Sequence, residues 1–192
     1  MLASARFWKS KPAGVSVVIA TQRLRLRPVG ADDAGRIAEL AGDWDVASMT
    51  ARMPYPYTLH DAHQWIDGLD EREFVRAVEC QGELIGVVGF VPSDVMRSAE
   101  IGYWLGKPYW GAGYATEAAA AMVAYCFRRR GFRAVTCAHL TDNPASARVI
   151  AKLGFVATGV ERTWCEARRR DVEVVRYELS RPQPSWWRLG AA

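Results

Sequence analysis

Long apolar runs are missing from this sequence of 192 residues. No stretch approaches the roughly 18 residues that a membrane-spanning helix needs, so we expect no membrane partner. The nearest candidate is the short apolar run 13–20, which follows Arg6, Lys9 and Lys11 and faintly resembles an export signal. Because that run has only eight residues, we interpret 1–20 as an N-terminal extension that leads into the first strand.

Cysteine and histidine are also scarce, at four and three residues. No two cysteines form a CxxC pair, and none lies at zinc-ligand spacing from a histidine, which argues against a metal site. Three of the four fall within apolar strand or helix patterns, where a thiol behaves as a small hydrophobic side chain. The sequence therefore predicts reduced cysteines, a cytoplasmic protein and no metal cofactor.

Charge of one sign is not concentrated in any part of the chain. The formal net charge is +4 and the pI about 9.0, but the arginines are spread along the sequence and form no stripe. We therefore expect no nucleic-acid partner, and the basic balance leaves acidic partners or a polyanionic cofactor open. Half of the residues are hydrophobic and 24% are charged, which is typical of a globular domain with a full core.

Hydrophobic periodicity predicts one mixed α/β domain over 21–180, followed by a tail at 181–192. Polar and apolar residues alternate in RLRLR at 23–27, which is typical of a half-buried strand, and Gln81-Gly82 predicts a hairpin turn. In chain order we expect about seven strands, at 23–27, 74–80, 83–91, 99–105, 134–140, 155–163 and 172–179, and about four helices, at 32–40, 60–69, 115–130 and 143–153.

One strand–helix–strand unit, over 99–140, predicts a parallel pair of strands, and ligands bind at the carboxyl ends of such strands. Its loop carries Gly111 and Gly113 in the stretch YWGAGYATEA at 109–118. Glycine lets a ligand approach main-chain N–H groups, and a helix start favours an anion. The loop lacks the GK[ST] of a Walker loop and has Thr116 where GxGxxG needs a third glycine. From local chemistry, a phosphate cradle and a simple glycine turn both remain open.

Three stretches, in the right order, resemble the GNAT superfamily of acyl-CoA-dependent N-acyltransferases over roughly 21–180. WGAGYA at 110–115 resembles motif A, (Q/R)xxGxG/A, although Trp110 departs from Gln or Arg at the first position. RLRLRP resembles the first strand of the RimJ/RimL-like branch, which contains ribosomal-protein N-terminal acetyltransferases. NPASARVIAKLGF at 143–155 resembles the second CoA motif of that branch.

The resemblance implies a mixed, mostly antiparallel central sheet that is splayed between the strands at 99–105 and 134–140. It also implies acetyl-CoA as co-substrate, with the pyrophosphate on the amides of the glycine loop and the pantetheine arm between the splayed strands. The cofactor-binding residues that it implies are Leu105, Trp110, Gly111, Ala112, Gly113, Tyr114, Ala115, Thr116, Asn143 and Ser146.

The resemblance further implies Glu100 as a general base, often through water; otherwise it is a solvated carboxylate or an ion-pair partner. His139 could contact the incoming amine or relay its proton, or could be structural. Asn143 could contact the pantetheine arm, cap a helix, or do both. Many relatives have a thiolate-protonating tyrosine where this chain has Ile150, so Ser146 or water would protonate the leaving thiolate.

The acceptor pocket is expected to include Tyr55, Tyr57 and Glu100. The acceptor itself is expected to be a protein N-terminal α-amine, with a small amine such as a polyamine, an amino acid or an antibiotic as the alternative. A non-catalytic acyl-CoA sensor is a further alternative. The adjacent Trp186 and Trp187 of the tail predict packing on the domain or on a second copy, so we expect a monomer or a homodimer.

Overall fold

The structure is a computed structural model that describes residues 17–93 and 97–181. The expectations for residues 1–16, and for the tail with Trp186 and Trp187, fall outside these described ranges. Among the helices within them, none is long and apolar enough to cross a membrane.

The described residues form a single eight-stranded sheet of order β1-β2-β3-β4-β5-β6-β8-β7. Every neighbouring pair is antiparallel except β5 and β6, which confirms the predicted mixed, mostly antiparallel sheet. The structure adds a two-residue edge strand, β1, which is too short for periodicity to show. The strands are β1 (Ile19–Ala20), β2 (Leu24–Pro28), β3 (Phe74–Cys80), β4 (Glu83–Ser93), β5 (Ser98–Leu105), β6 (Ala134–Leu140), β7 (Val156–Cys165) and β8 (Arg170–Ser180).

The four predicted helices are all present, and the structure adds one of a single turn. That added helix is capped by Asp43, whose side chain accepts a hydrogen bond from the Asp45 N–H. The first predicted helix begins two residues late because a 3-10 turn at Ala31–Asp33 precedes it. The helices are α1 (Ala34–Ala41), α2 (Trp44–Ala47), α3 (Leu59–Asp67), α4 (Tyr114–Arg128) and α5 (Pro144–Lys152).

Two local predictions about the strands are confirmed. In β2, Leu24 and Leu26 are buried while Arg25 between them is exposed, as the alternating pattern requires. Between β3 and β4, Gln81 and Gly82 have φ angles of 53° and 86° and form the turn of the predicted hairpin. Their positive φ angles match the twist that a tight hairpin turn needs.

Helices cover both faces of the sheet. On one face α4 and α5 pack against the strands, with Met122, Cys126 and Ile150 fully buried. On the other face α1 and α3 pack around Ile37 and Leu40. Burial of each such large side chain contributes about 1.5–3 kcal/mol to folding, so these two apolar layers hold the sheet in place.

The sheet splits between its two central strands. β5 and β6 are paired at Ser98, Ala99 and Glu100, and beyond this point they separate. β5 goes on pairing with β4 as far as Leu105, and β6 pairs with β8 as far as Leu140. The predicted splay is therefore confirmed. Because α4 and α5 begin just after these strands end, both helix starts lie at the split.

Candidate active site

The split opens into a cleft of about 1580 Å³. Pockets for one small ligand usually measure about 300–1,000 Å³, so this cleft has room for two substrates at once. Of the residues predicted for the site, those that line the cleft are Tyr57, Glu100, Leu105, Trp110, Gly111, Gly113, Tyr114, Ala115, Thr116, His139, Asn143 and Ser146. The main chain of Ala112 belongs to the same loop, and Tyr55 lies outside the lining.

The glycine loop adopts a backbone that ordinary residues avoid. Gly111 and Gly113 have φ angles of 78° and 84°, and Gly113 is the N-cap of α4. The Glu117 N–H donates to the Gly113 carbonyl at 3.1 Å, closing the first turn. The N–H groups before Glu117 have no partner within the helix, and the helix dipole adds positive potential there. The loop thus has the geometry of an anion cradle.

Arg23, the residue directly before β2, contacts this loop through its side chain. Its Nη1 donates to the Ala112 carbonyl at 2.9 Å, and its Nε donates to a Glu117 carboxylate oxygen at 2.7 Å. The guanidinium also lies over the Tyr114 ring, 4.5 Å from the centroid. Burial alone would raise the pKa of Glu117, but hydrogen bonds from Thr21 and Arg23 outweigh it and lower that pKa. The sequence contains no local signal for this contact.

Trp110 occupies the position where the motif has Gln or Arg. Its indole Nε1–H donates to the Leu105 carbonyl at 2.7 Å, so it ties the loop back to the end of β5. Leu105 itself is buried in the core. The departure from the motif therefore supplies a structural contact at the entrance of the loop.

Asn143 and Ser146 form the start of α5 on the other side of the split. The Asn143 Oδ1 accepts a hydrogen bond from the Ser146 N–H at 3.0 Å, and Pro144 occupies the first helical position. This is the N-cap that the sequence predicts. The Ser146 hydroxyl shares a 2.9 Å hydrogen bond with the hydroxyl of Tyr103 on β5. Burial raises the pKa of Tyr103 to about 12.

Glu100 belongs to a three-residue ion network across the sheet. Its Oε2 accepts from Arg176 Nη1 at 2.9 Å, and Arg176 also pairs with Glu161 at 2.6 Å. The Glu100 side chain is 46% exposed and lines the cleft. This carboxylate therefore faces the cleft and is an ion-pair partner, and its role as a general base stays a prediction.

His139 is buried and engaged at both ring nitrogens. Nδ1 donates to the Leu140 carbonyl at 2.7 Å, and Nε2 lies 3.0 Å from the Tyr177 hydroxyl. The two rings are stacked with centroids 5.4 Å apart. Both ring nitrogens thus have protein partners, and the amine contact or proton relay by His139 stays a prediction.

The two tyrosines predicted for the acceptor pocket occupy different positions. Tyr57 lines the cleft, and burial, with a smaller effect of Asp61, raises its pKa to about 12. Tyr55 instead packs edge-on against Trp44, with ring centroids 4.9 Å apart. Within the described ranges, no three His, Cys, Asp or Glu side chains are grouped as a metal site would need.

Comparison with known proteins identifies the family. A model described as "Acetyltransferase (GNAT) domain" matches residues 23–156. The chain belongs to the GNAT acetyltransferase family. It is 28% identical over 166 residues to the uncharacterized N-acetyltransferase p20 of Bacillus licheniformis, covering 83% of this chain and 93% of that protein.

Two further similarities are to a protein named as a ribosomal-protein acetyltransferase and to a solved structure of RimJ. The chain is 32% identical over 80 residues to the ribosomal-protein-serine acetyltransferase of Escherichia coli K12, covering 41% of this chain and 45% of that protein. Its fold matches Mycobacterium smegmatis RimJ in complex with CoA-disulfide, with a TM-score of 0.76 and 23% identity over 92% of this chain and 94% of that one. The predicted RimJ/RimL-like resemblance is confirmed, and the protein is a GNAT acetyltransferase.

Sequence reasoning missed three side chains that shape the site. Arg23 and Arg176 contact residues 94 and 76 positions away, and no local pattern indicates such pairs. Tyr103 could have been found, because the period of two along AEIGYWL places it on the opposite face of the strand from Glu100.

Proposed function

We propose that this GNAT acetyltransferase moves an acetyl group from acetyl-CoA to the N-terminal α-amine of a protein, by direct attack while both substrates are bound. One observation carries the proposal: the sheet splits beside a positive-φ glycine loop, and the cleft there has room for two substrates. The similarity to a protein named ribosomal-protein-serine acetyltransferase supports the choice of acceptor.

Acetyl-CoA fits the glycine-loop side of the cleft. The amides of Gly113 and of the first turn of α4 would bind its pyrophosphate, since these N–H groups and the helix dipole favour an anion. The arm that carries the thioester would lie in the split between β5 and β6, beside Asn143 and Ser146. The co-substrate supplies an activated acetyl group, and the protein positions it.

The acceptor amine would enter from the face that carries Glu100. An α-amino group has an ordinary pKa of about 7.7–8.0, so part of it is neutral near pH 7 and can attack the thioester. Glu100 would take the proton that the nitrogen releases, directly or through a water molecule. Arg176 fixes the carboxylate at 2.9 Å and so restricts its orientation toward the cleft. On the other side, Ser146 would protonate the leaving thiolate.

An acceptor screen tests this proposal. Release of CoA would be followed with peptides that begin with Ala, Ser, Thr or Met, with the same peptides blocked at the α-amine but carrying a lysine, and with polyamines. We expect turnover with unblocked peptides and mass spectra that place the acetyl group on the α-amine. Turnover with polyamines alone would instead favour a small-amine enzyme.

The Gly113→Val variant is the matched control. Its altered loop should remove both acetyl-CoA binding and peptide acetylation, which would link the activity to this cleft. Binding of acetyl-CoA by the wild-type protein without CoA release for any amine would contradict the enzymatic proposal and favour a sensor.

A further inference from the structure

Tyr103 and Ser146 form a hydroxyl pair in the split of the sheet. Their oxygen atoms are 2.9 Å apart, although one residue lies on β5 and the other on α5. Both side chains line the cleft. This hydrogen bond joins the two elements that border the split. Neither the strand nor the helix needs it in order to form. The pair is therefore placed where the two halves of the site meet.

This pair and Glu100 lie on opposite faces of β5. Ile101, Tyr103 and Leu105 pack with the core on the α4/α5 face, while Trp104 packs with the α1/α3 cluster. The alternation of the strand therefore puts Glu100 on the second face, where Arg176 holds it. An amine that attacks from the Glu100 side would displace a thiolate toward the Tyr103–Ser146 side.

The thiolate side needs a proton source, and the two hydroxyl groups differ in acidity. Position 150, where the family resemblance implies a tyrosine, is Ile150, which is 1% exposed in the core. A serine hydroxyl by itself is a far weaker acid than a phenol. The phenol of Tyr103, even with its pKa raised by burial to about 12, is the more acidic member of the pair.

We infer that Tyr103 is a positioning and proton-relay residue that acts through Ser146 on the departing thiolate of CoA. This inference rests on the proposed function. Ser146 is the catalytic residue, because its hydroxyl would touch the sulfur. Tyr103 orients that hydroxyl and replaces its proton. The Tyr103–Ser146 pair thus takes the role of a tyrosine at position 150, where this chain has isoleucine.

Each proton that moves in this reaction has a donor and an acceptor. The amine nitrogen forms the C–N bond with the acetyl carbon and loses one proton to Glu100 or water. The C–S bond breaks and its electron pair stays on sulfur, which takes the proton of Ser146. Ser146 takes the proton of Tyr103, and solvent water reprotonates Tyr103. Glu100 then releases its proton to solvent, which offsets the proton that Tyr103 took up. The net result is an amide and a CoA thiol, with every protein group restored.

A double-mutant cycle tests the relay on the full-length protein with an active peptide acceptor. Tyr103→Phe and Ser146→Ala should each lower kcat by about 10²-fold, the low end of acid–base assistance. Residues that act as one unit have non-additive effects, so the double variant should be no more than a few-fold slower than either single variant. KM and Kd for acetyl-CoA should stay within about twofold, because neither hydroxyl lies at the pyrophosphate loop.

Two further variants separate the relay from a structural role. Ser146→Thr keeps a hydroxyl and should retain most of the activity. Tyr125→Phe removes the hydroxyl of another half-buried tyrosine, one that packs on Phe74 and does not line the cleft, and kcat should not change. Thermal unfolding of each variant shows whether it is folded. If Tyr103→Phe does not fold, Ser146→Ala alone provides the test.

The possible failures are distinguishable. If the wild type releases no CoA with any amine, the proposed function fails and the relay fails with it. If the wild type is active while Tyr103→Phe or Ser146→Ala keeps its kcat, only the relay is wrong. Fully multiplicative losses in the double variant, or a loss explained by a weaker Kd for acetyl-CoA, would also overturn it.

Discussion

The two sides of the cleft are built from different parts of the chain. The side at the start of α4 consists of main-chain groups, with Gly111 and Gly113 in positive-φ conformations that present the helix amides. The side toward α3 consists of side chains from distant elements: Tyr57 follows α2, Glu100 is on β5 and Arg176 is on β8. One side is thus a backbone surface and the other is a side-chain surface.

Under the proposed function, this difference lets one fold serve different acceptors. Main-chain amides remain in place when side chains change, so the glycine-loop side suits a ligand that a whole family shares. Side chains on the opposite face can be replaced without altering the helix start, so that face can set the acceptor. Fold and cofactor alone therefore do not specify the acceptor amine. The predictions below test whether the two sides are separable in this way.

The largest effect is expected on the side-chain surface, for Glu100→Gln. Loss of the general base should lower kcat by about 10²–10⁴-fold, while Kd for acetyl-CoA stays near the wild-type value. The remaining rate should rise with pH, because more acceptor amine becomes neutral. Steady-state kinetics over pH 6–9 would measure this. Glu178→Gln, which changes an acid of β8 outside the cleft lining, is the matched control.

If Glu100→Gln keeps most of its kcat across that pH range, Glu100 is only an ion-pair partner of Arg176, and His139 or water is the base.

The next effect concerns the backbone surface. A ligand at 100 times its Kd stabilises the native state by about 2.7 kcal/mol, so acetyl-CoA should raise the Tm of the wild type. Gly113→Val should abolish that rise, because φ of 84° is strained for a branched residue and a side chain would block the amides. Gly30→Val is the control, since Gly30 has an extended backbone and open space around its Cβ position. A folded Gly113→Val with a normal Tm rise would show that the loop is not the binding site.

A smaller effect is expected where a side chain supports the backbone surface. Arg23→Ala removes the hydrogen bond to the Ala112 carbonyl and should raise Kd for acetyl-CoA by about tenfold. That change in Kd corresponds to the net free energy of one hydrogen bond. Isothermal titration calorimetry would measure the change. Arg25→Ala removes a neighbouring exposed arginine that pairs with Glu79, away from the loop, and should leave Kd unchanged. Equal effects of the two variants would indicate a general charge effect.

The smallest effect is expected for the acceptor tyrosines. Tyr57→Phe should raise KM for the peptide by about threefold, through loss of one hydroxyl contact, and leave Kd for acetyl-CoA as it is. Tyr55→Phe should change neither constant, because Tyr55 packs on Trp44 outside the cleft lining. A response to Tyr55→Phe alone would mean that the acceptor surface extends beyond this cleft.

Much of the fold follows from local chemistry that the sequence displays. The alternation of Leu24 and Leu26 with arginine predicts a half-buried strand at β2. The pair Gln81-Gly82 predicts the hairpin turn between β3 and β4. Hydrophobic periodicity did not reveal β1 and α2. These elements have only two and four residues, which is too short for a pattern to repeat. Asn143 was predictable as a cap, since capping depends on residues three positions apart.

The sequence by itself determined the local geometry of the glycine loop, and only the tertiary structure decided which side chains meet across the cleft. The glycine loop and its helix are contiguous, so their geometry depends on local φ angles and on the first turn of α4. The contacts of Glu100 with Arg176, of Tyr103 with Ser146 and of the loop with Arg23 join distant elements. The first two exist because the sheet order β5-β6-β8 and the split beside it bring those side chains together. The third exists because α4 packs across the sheet onto β2, and no local pattern encodes either arrangement.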